Sequence, residues 1–408
     1  MRILQINNQH FLKGGAHKVY FDTSHLLQSK NHEVHFFSLS DKRNLECDDS
    51  KFFPHSYDYR NQTILQKILN SKNFVKNADA YQKLLQLVEQ TKPNIAHIHL
   101  FMGGLTSTIL LALKEKKVPI VHTVHDYRLI CPAYLMLDGS NKICERCKGN
   151  KYYNCIIHKC SEKDIFQSLV LSADSYYRKF FIKPIDLIDR FIFVSKFAQR
   201  KHLEFDPRYN QKSTTLFNFI KDFPEEKVSY TKGDYFLFIG RLSREKGIHT
   251  LVKVIELMNV KLKIAGNGPL YKNIINYHNI ELLGFKKTDE IIELIKHCSF
   301  LVIPSEWYEN NPMSVIEAFS LGKPVIGANI GGIPELIKDG ENGFLFEPGN
   351  EKSLLNIIKK AINISDDLYF RMSNNARNFA EDNFNPGNHY KSLMYIYEDV
   401  INNYKEEF

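Results

Sequence analysis

The sequence predicts an α/β protein built from two doubly wound, Rossmann-like domains. Three observations predict it: the length, the alternation of short Val/Ile-rich runs with amphipathic stretches, and a restart of that alternation past the midpoint. At 408 residues the chain exceeds what one hydrophobic core of usual size serves, so two domains of about 200 residues are expected. Apolar residues make up 43% and charged residues 25%, with a mean hydropathy of −0.32, the composition of an ordinary globular chain. No run approaches the roughly 18 apolar residues a spanning helix needs. The start, MRILQINNQHF, has no cationic stretch followed by an apolar one, so no export signal is read and a cytoplasmic location is expected.

The elements follow in order. MRILQINN (1–8) is a buried strand, GGAHKVYFDTSHLLQSK a helix, and EVHFFSL a second strand. NIAHIHL, VPIVHTVH, RFIFVS and TTLFN are further strands, separated by helical stretches such as ADAYQKLLQLVEQ and GLTSTILLALKEK. Continuous apolar runs between helices indicate a parallel sheet covered on both faces. The polar stretch FIKDFPEEKVSYTKGD (219–234) reads as a linker, after which YFLFIG, KLKIAG, IELLGF, SFLVIPS and PVIGAN repeat the pattern. The expected division is therefore an N-terminal domain over 1–218, containing a Cys-rich insertion near 131–160, and a second domain over 219–385. An amphipathic helix over 386–408 is expected to return to the first domain. The crevice at the carboxyl ends of parallel strands, between the domains, is the expected ligand site.

The net charge of +8 suits phosphates or an anionic membrane face but is too diffuse for a nucleic-acid binder. It is densest in YYRKFFIKPIDLIDRFIFVSKFAQRK (176–201), where seven Lys/Arg meet two Asp among aromatics. That stretch reads either as a membrane-surface stripe or as a solvated helix leading into the strand RFIFVS.

Four stretches bear chemistry. In FIGRLSREKGIHTL, Arg241 and Lys246 lie where a strand turns into a helix near Gly247; cations at such an entrance suit an anion held there. In KIAGNGPLYKN the Gly266-Asn267-Gly268 turn lacks the third glycine and the acidic partner of a dinucleotide fingerprint, so NAD is excluded. Gly331-Gly332, and Gly14-Gly15 in the first domain, let a backbone approach an anion or sugar closely. PSEWYENNPMSVIEAFSLGKP (304–324) carries Glu309 in a turn, Asn311 and Pro312 as a helix-start signal, and Glu317 inside the helix. No D-x-D pair occurs in the chain to seat a divalent ion. Cations and a helix mouth can offset a diphosphate without metal, and carboxylates nearby must then face hydroxyls. The expected ligand is a nucleotide-diphosphate sugar.

At this point residues 235–350 resemble the donor domain of glycosyltransferase family 4, group 1. Its E-x7-E signature matches Glu309 to Glu317, with GRLSREKG, AGNGP and GANIGGIPELI in order. LKGGAHK, HTVHDYRLICP, FVSKFAQ and FNFI resemble its first domain more loosely. The resemblance implies a GT-B fold, two Rossmann-like domains facing across a cleft, and a retaining transfer without a catalytic metal. By position it implies that Arg241 and Lys246 bind the diphosphate and Glu317 the ribose. Glu309, with the backbone of Asn310, Asn311, Pro312 and Met313, would hold the transferred sugar. His125 would sit by the sugar, and Gly14 and Gly15 near phosphates and acceptor. The donor would be UDP- or GDP-linked and the acceptor a glycan or polyprenyl-linked glycan of surface-polysaccharide synthesis, with peripheral contact at the inner membrane face. The family often has Gly or Ser, then Phe or Leu, after the first Glu; Asn310-Asn311 departs from this and leaves the sugar open.

Cys144-x2-Cys147-x7-Cys155-x4-Cys160 has spacing suited to a closed structural zinc site, with Cys131 and His158 in reserve; a redox role or unliganded thiols are the alternatives. Two rival functions fit the architecture: a nucleotide-sugar epimerase, which needs no acceptor, and a non-catalytic sugar-nucleotide-binding subunit.

Overall fold

A computed structural model describes residues 1–56, 74–161, 164–223, 230–274 and 277–406. Part of the expected linker, 224–229, lies outside the described residues. The chain divides into two compact units, Met1–Leu216 with Tyr390–Phe408, and Phe217–His389. The sequence placed these breaks at 218/219 and 385/386, a few residues away.

In the first unit, strands β1 (Arg2–Ile6), β2 (Glu33–Phe37), β3 (Ile95–Ile98), β4 (Ile120–Val124), β5 (Arg190–Phe193) and β6 (Ser213–Thr215) form one sheet. Its order is β2-β1-β3-β4-β5-β6 and every pairing is parallel. All of β3 and β4 is buried, as continuous apolar runs in a covered sheet require. Helices α1 (Gly15–Ser29), α2 (Ala78–Thr91), α3 (Thr108–Glu115), α4 (Ile165–Tyr177) and α5 (Lys196–Phe205) connect the strands. Their starts obey local chemistry: the Asn77 side chain accepts from Ala80 N–H ahead of α2, and Ser195 accepts from Ala198 N–H ahead of α5.

In the second unit, strands β7 (Tyr235–Ile239), β8 (Lys261–Ala265), β9 (Ile280–Gly284), β10 (Phe300–Ile303), β11 (Val325–Ala328) and β12 (Gly343–Phe346) form a parallel sheet ordered β12-β11-β10-β7-β8-β9. The sequence reading missed β12, because GFLF is short and follows a glycine-bearing turn. Helices α6 (Ile248–Glu256), α7 (Thr288–His297), α8 (Met313–Ser320), α9 (Glu351–Ile362) and α10 (Asp366–Phe384) cover it. The chain builds outward through β7, β8 and β9, then returns to place β10 on the other side of β7. The carboxyl ends of β7 and β10 therefore splay apart, and such a reversal is where doubly wound sheets hold ligands.

Helix α11 (Pro386–Glu406) begins in the second unit and continues in the first. Leu393, Ile396, Tyr397 and Val400 recur at helical spacing and pack against Ile3, Leu27, Ile95, Val121 and Ile192. Each such side chain stabilises the unit by about 1.5–3 kcal/mol as an upper estimate. Tyr397 Oη also lies 2.6 Å from His97 Nδ1 on β3, and Arg190 of β5 pairs with Asp399. Among the described residues, no helix is long and apolar enough to cross a membrane.

Candidate active site

The centre of the second unit's site is an ion pair between a half-buried lysine and a buried glutamate. Lys246 follows β7 in the turn Arg244–Lys246, and Glu309 follows β10, the neighbouring strand. Lys246 Nζ lies 2.6 Å from Glu309 Oε1. Glu309 is only 6% exposed. Its Oε1 also accepts from the Ser305 hydroxyl at 2.7 Å. Burial alone would push the carboxyl pKa up, but the Lys246 ammonium, with the Ser305 hydroxyl, outweighs it and holds Glu309 below the usual carboxylate range. The site thus keeps a carboxylate ionised in a dry place.

The backbone explains how two residues 63 positions apart meet. Gly247 adopts φ +65°, and a Cβ there would stand 1.7 Å from the carbonyl of Pro304; only glycine lets the β7 turn press against the end of β10. Glu306 N–H then donates to the Glu245 carbonyl at 2.8 Å, and Thr250 Oγ1 donates to the Glu306 carboxylate. Gly331 plays the same part from the far side: at φ +63° its Cβ would lie 2.4 Å from the Glu309 carbonyl oxygen, which accepts Gly332 N–H at 2.7 Å. The Gly331-Gly332 pair thus approaches Glu309's own backbone, which the sequence had assigned to an anion or sugar. The Gly266–Gly268 turn likewise packs on backbone, its Asn267 carbonyl accepting Leu242 N–H at 3.0 Å.

The remaining donor-side residues divide. Arg241 is exposed on the turn after β7, and Glu317 is half-buried. Helix α8 starts at Met313, with Pro312 in the N-cap position, so Asn311 is not the cap and Glu317 lies one turn into the helix. The reason is a competing partner: Asn311 Oδ1 accepts Asn218 N–H at 2.9 Å, and Asn218 Nδ2 donates to the Asn311 carbonyl at 3.2 Å. Asn310 and Asn311 are 8% and 7% exposed. Asn311 Nδ2 has no hydrogen-bond partner among the described residues. Sequence reasoning missed Ser305, Glu306, Trp307, Thr250 and Asn218. A serine and a tryptophan flanking the first Glu of the signature were the available signal for two of them.

In the first unit His125 follows β4 and His99 follows β3, its parallel neighbour. His99 Nδ1 and His125 Nε2 are 2.9 Å apart, with the rings stacked at 5.2 Å. Burial, then neighbouring imidazoles, push His99 far down, and burial, followed by His122 and His17, lowers His125 to about 3. Both rings are therefore neutral near pH 7, so one proton serves their contact. His99 Nε2 lies 3.2 Å from the Gln5 side-chain amide oxygen Oε1, which can only accept. With that oxygen accepting, His99 carries its proton on Nε2 and accepts at Nδ1 from His125 Nε2–H. Gly14, extended and exposed, caps α1, its carbonyl accepting the His17 and Lys18 N–H groups, and Gly15 is the first helical residue.

The expected zinc site gains no support. Cys144, Cys147, Cys155 and Cys160 do line one small cavity together with Cys131. Among the described residues, however, no three His, Cys, Asp or Glu side chains are grouped as metal ligands. Cys155 and Cys160 hydrogen-bond to each other, and that bond with burial raises the Cys160 thiol; burial likewise raises Cys131 to about 12.

Comparison with known proteins agrees with this geometry. A model described as Glycosyltransferase Family 4 matches residues 13–221, and one described as Glycosyl transferases group 1 matches residues 219–379. An uncharacterised glycosyltransferase of Methanocaldococcus jannaschii is 32% identical over 222 residues, covering 52% of this chain and 61% of that protein. The capsular polysaccharide biosynthesis glycosyltransferase CapM of Staphylococcus aureus is 25% identical over 394 residues, 92% of each chain. Among solved structures, Anabaena HepE in complex with UDP and glucose superposes with a TM-score of 0.67 at 17% identity, over 98% of this chain and 100% of that one, a likeness of fold. Two Rossmann-like units of GT-B type, and a family match running from residue 13 to residue 379, lead to one conclusion: this chain belongs to the group 1 glycosyl transferases of glycosyltransferase family 4.

Proposed function

We propose that the protein transfers a hexose-type sugar, with retention of anomeric configuration, from a UDP- or GDP-linked donor to a glycan or polyprenyl-linked acceptor in surface-polysaccharide synthesis. The observation that carries this reading is the Lys246–Glu309 pair at the carboxyl ends of β7 and β10. A diphosphate arriving there offers Lys246 a stronger partner than a lone carboxylate, because it carries more charge. Glu309, kept ionised, then accepts from sugar hydroxyls, which are donors. Arg241 adds a second cation for the diphosphate, and Glu317 accepts from the ribose. Asn310, Asn311 and the N–H groups entering α8 complete the sugar's surroundings in the second unit.

In the reaction the bond from the anomeric carbon to the β-phosphate oxygen breaks as the acceptor oxygen bonds to that carbon on the same face. The acceptor's proton passes to the departing diphosphate. Lys246 and Arg241 stabilise the charge that develops on the leaving group, and Glu309 favours the oxocarbenium-like sugar. No protein nucleophile is assigned. CapM acts in capsular polysaccharide biosynthesis and HepE is seen with UDP and glucose; both support the donor and product classes proposed here. A cytoplasmic location belongs to the same proposal, since seven free thiols suit a reducing compartment.

The test is a panel of UDP- and GDP-sugars incubated with purified protein, with and without lipid-extract acceptors, read by mass spectrometry. Donor consumption that yields a glycosylated acceptor with a retained anomer supports the reading. Donor isomerisation without an acceptor would show an epimerase, and binding without turnover a non-catalytic subunit.

A further inference from the structure

The first unit carries an apolar face unrelated to the sugar site. Helix α4, IFQSLVLSADSYY, contains one ionisable acid, Asp174, and that is buried against Arg178 at 2.9 Å. Ile165 and Leu169 are 52% and 48% exposed, and the face they begin runs into the π-turn Arg178–Ile182, where Phe180 and Phe181 are 58% and 75% exposed. Isolated exposed apolar residues are unremarkable, but a contiguous row signals an interaction surface.

The tip is prebuilt. Arg178 is buried and holds it from inside, donating to Asp174, to the Arg128 carbonyl at 3.0 Å and to Ser175 Oγ at 3.0 Å. Lys183, at φ +55°, ends the turn. Tyr176 stacks on Phe180 with an interplanar angle of 9°, and Tyr177 on Phe181 at 24°. Each stack pairs an apolar ring at the tip with a ring that has a polar hydroxyl one turn behind, the arrangement suited to a boundary between hydrocarbon and water.

Charge selects the partner. Described residues within 142–183 include eight Lys/Arg and three Asp/Glu; of the cations, Arg146, Arg178 and Lys179 pair with Asp138, Asp174 and Asp206. The acids are engaged: Glu145 with Lys201, Asp164 with the N–H of Gln167, and Asp174 with Arg178. Lys151, Lys159 and Lys183 are exposed. The segment bearing the first two packs beside α4, where Ser172 Oγ donates to the Tyr152 carbonyl at 2.9 Å.

We propose that the outer face of α4 and the Arg178–Ile182 turn dock onto an anionic lipid bilayer, Phe180 and Phe181 entering the apolar boundary while the flanking lysines meet acidic headgroups. The inference stands apart from the sugar-transfer reading, because lipid binding is read without donor or acceptor.

The experiment is flotation of the full chain with phosphatidylglycerol-rich vesicles against phosphatidylcholine vesicles. Wild type should float with the former, less so at high salt, and weakly with the latter. Phe180→Ser with Phe181→Ser should lower binding by about tenfold or more, with unchanged circular dichroism and unchanged nucleotide affinity. Phe181→Trp should be quenched by brominated lipid, a direct reading of insertion. Absence of wild-type binding, equal binding by the double variant, or an unquenched tryptophan overturns the proposal. So does lipid-free self-association that the double variant abolishes, since a second copy would then cover the face.

Discussion

Lys246 Nζ sits 2.6 Å from Glu309 Oε1, so the cation assigned to the donor's phosphate and the carboxylate assigned to its sugar are each other's partners when neither is present. Such a pair keeps Glu309 ionised and both groups placed without a ligand. It also couples them: removing one leaves the other alone. Glu309 is the more buried partner, at 8% side-chain exposure against 27% for Lys246, and suffers more.

Lys246→Ala should therefore do two things. It should weaken binding of a nucleoside diphosphate by about tenfold to a hundredfold while leaving nucleoside binding unchanged, read by calorimetry. It should also lower the Tm, because a buried carboxylate without its cation costs about 3–5 kcal/mol before relaxation. Adding Glu309→Gln to that variant should restore most of the lost Tm. A double variant no more stable than Lys246→Ala would show that the pair is not coupled in this way.

Glu309→Ala should reduce transfer by at least about a hundredfold with little change in circular dichroism. Substitution to Gln keeps the shape and removes the charge. If Glu309→Gln retains near-normal turnover, the carboxylate is not what the sugar needs.

Gly331→Ala isolates positioning from chemistry. Its Cβ would press on the Glu309 carbonyl at 2.4 Å, whereas Gly340, at φ +78°, has nothing within 4 Å of an added Cβ. Gly340→Ala should cost about 1 kcal/mol for the left-handed backbone alone and leave activity intact. Gly331→Ala should cost more and lower kcat. Equal effects would remove the steric role.

The imidazoles make a pH prediction of definite sign. Burial lowers His125 and His202 to about 3, and His122 and His389 to about 4. The unfolded chain, with imidazoles near 6.5, then binds more protons than the folded one between those values. Stability is full above pH 6.5 and falls as pH drops towards the folded pKa values, by about 2 kcal/mol for each such ring at pH 5. A Tm that is flat from pH 7 to pH 5 contradicts this. Activity, in contrast, should show no acid limb near 6.5 from His125. His99→Phe should remove the acceptor for His125 Nε2–H, and 15N chemical shifts of His125 should report the altered tautomer.

The sequence by itself determined the alternating architecture, because burial of Val/Ile-rich strands under amphipathic helices is a local, periodic demand that needs no partner to be read. It likewise marked Arg241, Lys246, Glu309 and Glu317 by residue type and order. Only the tertiary structure decided that Lys246 contacts Glu309, that Gly331 backs the Glu309 peptide, and that Asn218 takes Asn311 from its expected helix cap. The first depends on β10 returning beside β7, an adjacency between segments more than 60 residues apart, and the second on β11 pairing with β10. The same distinction explains the cysteines. Spacing suggested that four thiols come together; that Cys131 joins them around one cavity is decided by packing, which spacing does not encode.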